Sequence, residues 1–292
     1  MMLIALHGRP FKNDSIFFIR KIMDQLFAEN IELVIYEPFF KHLKKVGLLK
    51  NANVYTSVDD FKGADYIFSV GGDGTFLDAV TFSGRKEIPI LGINVGRLGF
   101  LSTVNETNYS DLVKNILNKD YRIEERGLIR LETSTGLFGN LNFGLNELTM
   151  TKRDSAAMII VHTYLDGEFL NSYWADGLIV STATGSTGYS LSCGGPVVLP
   201  LTQNLIITPI SPHNLNVRPL LVPDTSVLSF EIEGRSKTFL VSLDSRSEPV
   251  RSGITLTLKK ESFNAKLIKI PSDSFLNTLR LKLNWGLDVR NY

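Results

Sequence analysis

The sequence predicts two domains, an α/β N-terminal domain with a parallel sheet, followed by a mostly β C-terminal domain. Three observations carry this. Short apolar runs alternate with helix-periodic segments over the first hundred or so residues, the pattern of strand-helix-strand units. From about residue 124 the texture changes to closely spaced strand-like runs. A strand-turn-helix signature around Gly71 marks the centre of the first half.

Taken in order, Met2 to Leu6 read as a buried strand ended by His7-Gly8-Arg9-Pro10. Asp14 or Ser15 is placed to cap a helix whose apolar residues Ile16, Ile19, Ile22, Met23, Leu26 and Phe27 recur at helical spacing. Ile31 to Tyr36 give the next strand, residues 38 to 62 are polar and weakly patterned, and Tyr66 to Val70 form the central strand. Its helix reaches about Phe82; a strand over Ile88 to Ile93 and a helix over Tyr109 to Leu117, burying Leu112, Val113, Ile116 and Leu117, follow. Strands are then expected over 128–132, 142–151, 158–165, 169–173, 178–182, 205–210, 227–232, 239–243 and 254–259, with Asp166-Gly167 as a hairpin turn. Ser274 to Leu283 read as a helix that returns to the first domain. The expected boundaries are therefore 1–123 with 272–292 for the nucleotide-binding domain, and 124–271 for the β domain.

The 292 residues suffice for two ordinary domains, and 43% hydrophobic with 21% charged residues describes a soluble globular chain. A formal charge of +1 gives no electrostatic case for a nucleic-acid or membrane partner. The single cysteine, Cys193, has no intrachain partner, and the N-terminus lacks the basic flank and long apolar core of a signal peptide, so a reducing, cytoplasmic setting is expected. In that setting Asn13, Asn105 and Asn108, each in an Asn-X-Ser/Thr triplet, are chance matches.

The central turn is Gly71-Gly72-Asp73-Gly74-Thr75. Glycines admit positive φ and let a ligand approach without a Cβ in the way, and the N–H groups that open a helix attract an anion. Gly71, Gly72 and Gly74 thus read as a phosphate cradle. A carboxylate beside a phosphate is repelled unless a metal bridges them or it faces a hydroxyl that must lose a proton, which makes Asp73 the catalytic candidate. The plainer alternative is an Asx-turn or helix-cap residue. A second glycine-rich loop, Gly92 to Leu101, lacks the Gly-X-Gly-X-X-Gly spacing and trailing helix of a dehydrogenase. In a parallel sheet both loops would lie beyond the carboxyl ends of strands, lining one cleft.

The β domain carries two polar stretches. In Gly144-Leu145-Asn146-Glu147-Leu148-Thr149, adjacent Asn146 and Glu147 serve one ligand only if the strand ends or bulges there. An amide and a carboxylate together suit a ribose diol, against the alternative of an ordinary polar strand end. The second runs from Asp176-Gly177 through a strand into Thr184-Gly185-Ser186-Thr187-Gly188-Tyr189-Ser190-Leu191-Ser192 and stops at Gly194-Gly195-Pro196. Its hydroxyls and N–H groups suit a neutral or anionic ligand. Ser186 lacks the Gly-X-Ser-X-Gly elbow, and His7, His42, His162 and His213 are scattered, which argues against a serine hydrolase.

Gly71 to Thr75 resembles the signature shared by NAD kinases, diacylglycerol- and sphingosine-type lipid kinases and 6-phosphofructokinases. Asn146-Glu147, the Asp176 to Pro196 block and His213-Asn214-Leu215-Asn216-Val217-Arg218-Pro219-Leu220 are similar, in the same order, to the NAD kinase family, over roughly residues 60–250. The resemblance implies transfer of the γ-phosphoryl of ATP to the 2′-hydroxyl of the adenosine ribose of NAD, giving NADP, with a divalent cation, Mg²⁺ above all. It implies Asp73 as proton acceptor, with Gly71, Gly72, Gly74, Phe100, Asn146, Glu147, Asp176, Thr187, Gly188, Tyr189, Ser190, Leu191 and Ser192 against the nucleotides. It also implies a homodimer or homotetramer. Ala183 stands where the family usually has proline, Trp174 where some members carry a basic residue, and Arg246 where others have glutamine. A lipid kinase would need an apolar groove and would not need Asn146-Glu147; a nucleotide sensor would not need Asp73.

Overall fold

The structure is a computed structural model that describes residues 2–153, 158–271 and 273–286. The chain divides into two compact units, residues up to Glu125 together with those from Ala265 onward, and Arg126–Asn264.

The first unit contains β1 (Leu3–Gly8), α1 (Ile16–Ala28), β2 (Glu32–Tyr36), α2 (Glu37–Lys45), β3 (Asn53–Tyr55), β4 (Tyr66–Val70), α3 (Asp73–Ser83), β5 (Ile90–Ile93) and α4 (Leu112–Leu117). Its strands pair in parallel in the order β5-β4-β1-β2-β3. The order reverses between β1 and β4, the switch point at which an open parallel sheet leaves a crevice beyond its strand ends. The Gly71–Gly74 turn follows β4 at that point. Apolar residues of α1 pack on Ile4, Leu6, Ile35 and Phe68.

Three details depart from the sequence reading. Phe18, not Phe27, completes the buried stripe of α1, and Phe27 is exposed. Ser15 occupies the N-cap position of α1 but makes no capping bond, because its hydroxyl donates to Val95 O at 3.2 Å. Leu117 of α4 is exposed, leaving Leu112, Val113 and Ile116 as its inner side. The weakly patterned 38–62 stretch holds most of α2 and all of β3. Pro38 sits in the first turn of α2, where its missing N–H costs nothing, and Phe39 and Leu43 are its buried pair.

The second unit holds β6 (Arg122–Thr133, entered from the first unit), β7 (Phe143–Gly144), β8 (Glu147–Lys152), β9 (Ile159–Leu165), β10 (Glu168–Ala175), β11 (Gly177–Thr182), α5 (Tyr189–Ser192), β12 (Asn204–Ile210), β13 (Leu220–Pro223), β14 (Leu228–Gly234), β15 (Thr238–Leu243), β16 (Arg246–Arg251) and most of β17 (Thr255–Lys269). Six strands form an antiparallel sheet in the order β13-β12-β11-β8-β15-β16, and β10-β9-β14-β17 run antiparallel in a second. Residues of both sheets, among them Met150, Val180, Phe239, Val161 and Phe230, share one core. Asp166 and Gly167 both take positive φ between β9 and β10, as the hairpin signal requires.

The last residues of β17 lie in the first unit, where Leu267 pairs in parallel with Ile90. They lead to α6 (Phe275–Leu283), capped by the Ser274 hydroxyl, which accepts from Asn277 N. No helix among the described residues is long and apolar enough to cross a membrane.

Candidate active site

In the first unit the site is built from two loops. Gly72 is the N-cap of α3 and Asp73 its first residue. Gly71 N donates to Ile93 O at 2.8 Å, while the N–H groups of Gly72, Asp73 and Gly74 have no acceptor among the described residues. These are the orphan donors of a helix start. None of the three glycines has positive φ. Their value is space: a Cβ at Gly72 or Gly74 would meet nothing within 4 Å, whereas one at Gly71 would strike Thr75.

The second loop folds back on itself. Asn94 is buried and its amide ties the loop, donating to Arg97 O (2.8 Å) and accepting from Gly96 N (2.8 Å). The returning limb points three N–H groups at one carboxylate: Phe100 N donates to Asp73 Oδ2 (2.9 Å), and Leu101 N and Ser102 N to Asp73 Oδ1 (2.9 and 3.2 Å). A carboxylate offers about four lone-pair positions, so this leaves one, on Oδ2, for a substrate donor. Gly99 makes the approach possible, since a Cβ there would lie 2.1 Å from Asp73 Oδ1. The Asp73 side chain keeps 28% of its surface exposed.

Two cationic side chains flank this arrangement. Arg9, following β1, pairs with Asp78 of α3. Lys282 of α6 places Nζ 3.8 Å from Asp73 Oδ2, donates to Leu98 O at 2.8 Å and lies over the Phe100 ring, 5.1 Å from its centroid.

In the second unit Asn146 lies in the gap between β7 and β8, and Glu147 is the first residue of β8. Because the strand begins only at Glu147, strand alternation does not separate the two side chains, and Asn146 Nδ2 and Glu147 Oε2 both lie beside Gly188. Asp244, at φ +52 in the β15–β16 turn, holds this segment: its carboxylate accepts from Leu145 N (2.7 Å), Asn146 N (2.7 Å) and Glu147 N (3.1 Å). Thr182 adds bonds to Leu145 O and Asn146 O. A Cβ at Gly185 would fall 2.2 Å from Asn146 O, and one at Gly188 would fall 2.9 Å from Glu147 Oε2. The glycines of the hydroxyl-rich block therefore let it close over Asn146-Glu147.

Asn146 Oδ1 and Glu147 Oε2 are buried with no hydrogen-bond partner among the described residues. Burial and the nearby Asp244 carboxylate push the Glu147 carboxyl up to about 8, against a backbone bond from Tyr189. Burial also raises the Asp244 carboxyl, opposed by its three N–H donors and by Arg246.

The remaining sequence-selected residues divide by role. The Ser190 hydroxyl is buried against that of Thr208 (2.8 Å), and the Ser186 hydroxyl is spent on the backbone of Val198. Thr187 and Gly188 are half-buried, Tyr189 and Ser192 exposed, and Leu191 intermediate. Asp176 pairs with Lys152 at 2.6 Å. The Ser186 and Ser190 hydroxyls are thus spent on neighbouring residues outside the block.

Residues 4–121 match the profile of the ATP-NAD kinase N-terminal domain and residues 145–270 that of the ATP-NAD kinase C-terminal domain. The chain belongs to the NAD kinase family. It is 53% identical to the NAD kinase of Cytophaga hutchinsonii over 99% of this chain and 100% of that one, and 47% identical to that of Flavobacterium psychrophilum with the same coverage. An NAD kinase from Archaeoglobus fulgidus, solved with ATP, superposes with a TM-score of 0.77 at 26% identity, covering 97% of this chain and 99% of that one. Yeast NADH kinase, solved with NADH, shares the fold at a TM-score of 0.87 and 21% identity, covering 100% of this chain and 90% of that one. The activity is that of an NAD kinase, phosphorylation of NAD by ATP to give NADP. Nothing in these similarities favours a lipid kinase or a sensor.

Asp244 and Lys282 escape a reading of this NAD kinase sequence. Each acts on residues roughly a hundred or more positions away, and neither sits in a glycine-rich turn. Arg246, at the position of the family's glutamine, donates to Leu141 O and Phe143 O and so anchors the approach to β8. Trp174, at the position of a basic residue in some NAD kinases, is exposed and lines a cavity of about 620 Å³ with Met158, Ile160, Glu233 and Arg235.

Proposed function

We propose that Asp73 is the general base that takes the proton of the adenosine ribose 2′-hydroxyl of NAD. The 2′-oxygen forms a bond to the γ-phosphorus of ATP, the bond from that phosphorus to the β–γ bridging oxygen breaks with its electron pair leaving on ADP, and the proton rests on Asp73 until released to solvent. The observation that carries this reading is the carboxylate fixed by three N–H groups with one lone-pair position left over. A sugar hydroxyl is a poor nucleophile at neutral pH, and a fixed base within hydrogen-bond reach supplies what positioning alone does not.

The free N–H groups of Gly72, Asp73 and Gly74 are the donors we assign to phosphoryl oxygens. Asn146 and Glu147 are assigned to NAD, Asn146 Oδ1 accepting from one of its hydroxyls and the unpartnered Glu147 Oε2 exchanging a hydrogen bond with another. Thr187 to Ser192 and Asp176 are assigned to the dinucleotide, and Phe100 to the wall beside Asp73. Among the described residues no group of three His, Cys, Asp or Glu could hold a metal ion. The donor set therefore fits a divalent cation carried on ATP phosphates, where it neutralises charge, better than a resident ion. The proposal includes a cytoplasmic homodimer or homotetramer, tested by sedimentation equilibrium.

The deciding experiment is Asp73→Asn. Turnover of NAD with ATP and Mg²⁺ is expected to fall by at least ~100-fold with NAD still binding by calorimetry, the size of effect of losing a general base. Undiminished turnover removes Asp73 from the role.

A further inference from the structure

Lys282 has no role in the proton transfer proposed above, yet its ammonium lies beside the proposed base. Nζ is 3.8 Å from Asp73 Oδ2, the oxygen with the free lone pair, and this is too long for a hydrogen bond. Of its three N–H donors, one goes to Leu98 O and none to the carboxylate. The side chain is held in place by that bond and by the Phe100 ring beneath it, while a third of its surface stays open. Arg9, by contrast, is engaged by Asp78.

We infer that Lys282 is a catalytic cation whose remaining N–H donors contact the transferring γ-phosphoryl group. The inference rests on Asp73 being the base. A hydroxyl bonded to Asp73 Oδ2 attacks phosphorus about 3–3.5 Å further on, so the equatorial phosphoryl oxygens fall within the span of an ammonium already 3.8 Å from that carboxylate oxygen. Phosphoryl transfer spreads negative charge over those oxygens, and a preorganised cation there strengthens its contact as the transition state forms. The bonds made and broken are those given above: Lys282 gives up no proton and stabilises charge throughout. As a point charge with rotatable donors it suits the same task as the lysine of phosphate-binding loops.

The test compares Lys282→Met, Lys282→Arg and Asp73→Asn with the unaltered enzyme, measuring kcat, KM for NAD, and calorimetric Kd for ADP and for the non-hydrolysable β,γ-imido analogue of ATP. Lys282→Met is expected to lower kcat by roughly 10²–10³, the cost of one lost transition-state donor, with KM for NAD nearly unchanged. Its affinity for the analogue should fall by about tenfold or more while that for ADP holds, and Lys282→Arg should recover part of both losses. A lysine that only seats α6, or only offsets the charge of Asp73, leaves the ratio of analogue to ADP affinity where it was. The inference is overturned if Lys282→Met keeps kcat within about twofold, or loses analogue and ADP affinity equally. Should Lys282→Met not fold, Lys282→Arg decides by the same ratio, which must change because a planar fork replaces a point charge. An inactive Asp73→Asn beside a normal Lys282→Met refutes this inference alone; a fully active Asp73→Asn refutes the base.

Discussion

Gly99→Ala perturbs the proposed base without touching it chemically. An added Cβ would stand 2.1 Å from Asp73 Oδ1 and 2.8 Å from its Cγ. Real Cβ contacts do not fall below 3.0 Å, so either the carboxylate or the loop must retreat by about 1 Å. Retreat lengthens the Phe100, Leu101 and Ser102 bonds, now 2.9, 2.9 and 3.2 Å, beyond useful hydrogen-bond range. A displacement of about 1 Å at a reacting group costs on the order of 10²-fold in rate, or about 2.7 kcal/mol. The expected result is a kcat for NADP formation lowered by about 10²-fold, with calorimetric NAD affinity changed much less. Gly127→Ala is the control, because its Cβ would meet only ordinary contacts at 3.9 and 4.0 Å. If Gly99→Ala turns over within about twofold of the unaltered enzyme, the carboxylate geometry is not what positions the base.

Three further outcomes follow from the second unit. With its carboxyl raised to about 8, folded Glu147 retains a proton that the unfolded chain releases near 4.5, so the native state is favoured at low pH and loses that advantage as pH rises through 8. The thermal midpoint should fall by several degrees between pH 5 and 8.5, and Glu147→Gln should flatten this dependence, both read by calorimetry. Asp244→Ala leaves three backbone N–H groups without their acceptor, at ~1–3 kcal/mol each if they stay dry, so denaturant titration should show a large loss of stability and steady-state kinetics a KM for NAD raised about tenfold or more. Ala183 has φ −57°, and its N–H has no acceptor among the described residues. Ala183→Pro should therefore raise stability by about 0.4–1 kcal/mol in the same titration, with turnover unaltered.

What could be read in the sequence was what repeats locally. Tyr66 to Val70 followed by three glycines announces strand, turn and helix because apolar period and turn chemistry change within a few residues. The β13 and β16 strands were not legible. Both are edges of their sheet, and Leu220–Pro223 and Arg246–Arg251 carry exposed, charged or proline residues that spoil the alternating pattern. In α2, Phe39 and Leu43 form too narrow an apolar stripe to stand out among lysines. Asn146 and Glu147 stand out as a polar pair among apolar neighbours; that Asp244 holds them is tertiary information, as is the return of the second loop onto Asp73.

The first unit draws on both ends of the described chain, and this sets a clock on its maturation. The Lys282 ammonium reaches back to Leu98 across 184 residues of sequence. At about 5–20 residues per second on the ribosome, roughly 10–40 s separate the emergence of the loop from that of the lysine that braces it. During that interval the glycine-rich turn is already made while the helix that completes its surroundings is still being synthesised. A nascent chain of this enzyme is thus expected to stay silent toward the dinucleotide pool until α6 has docked.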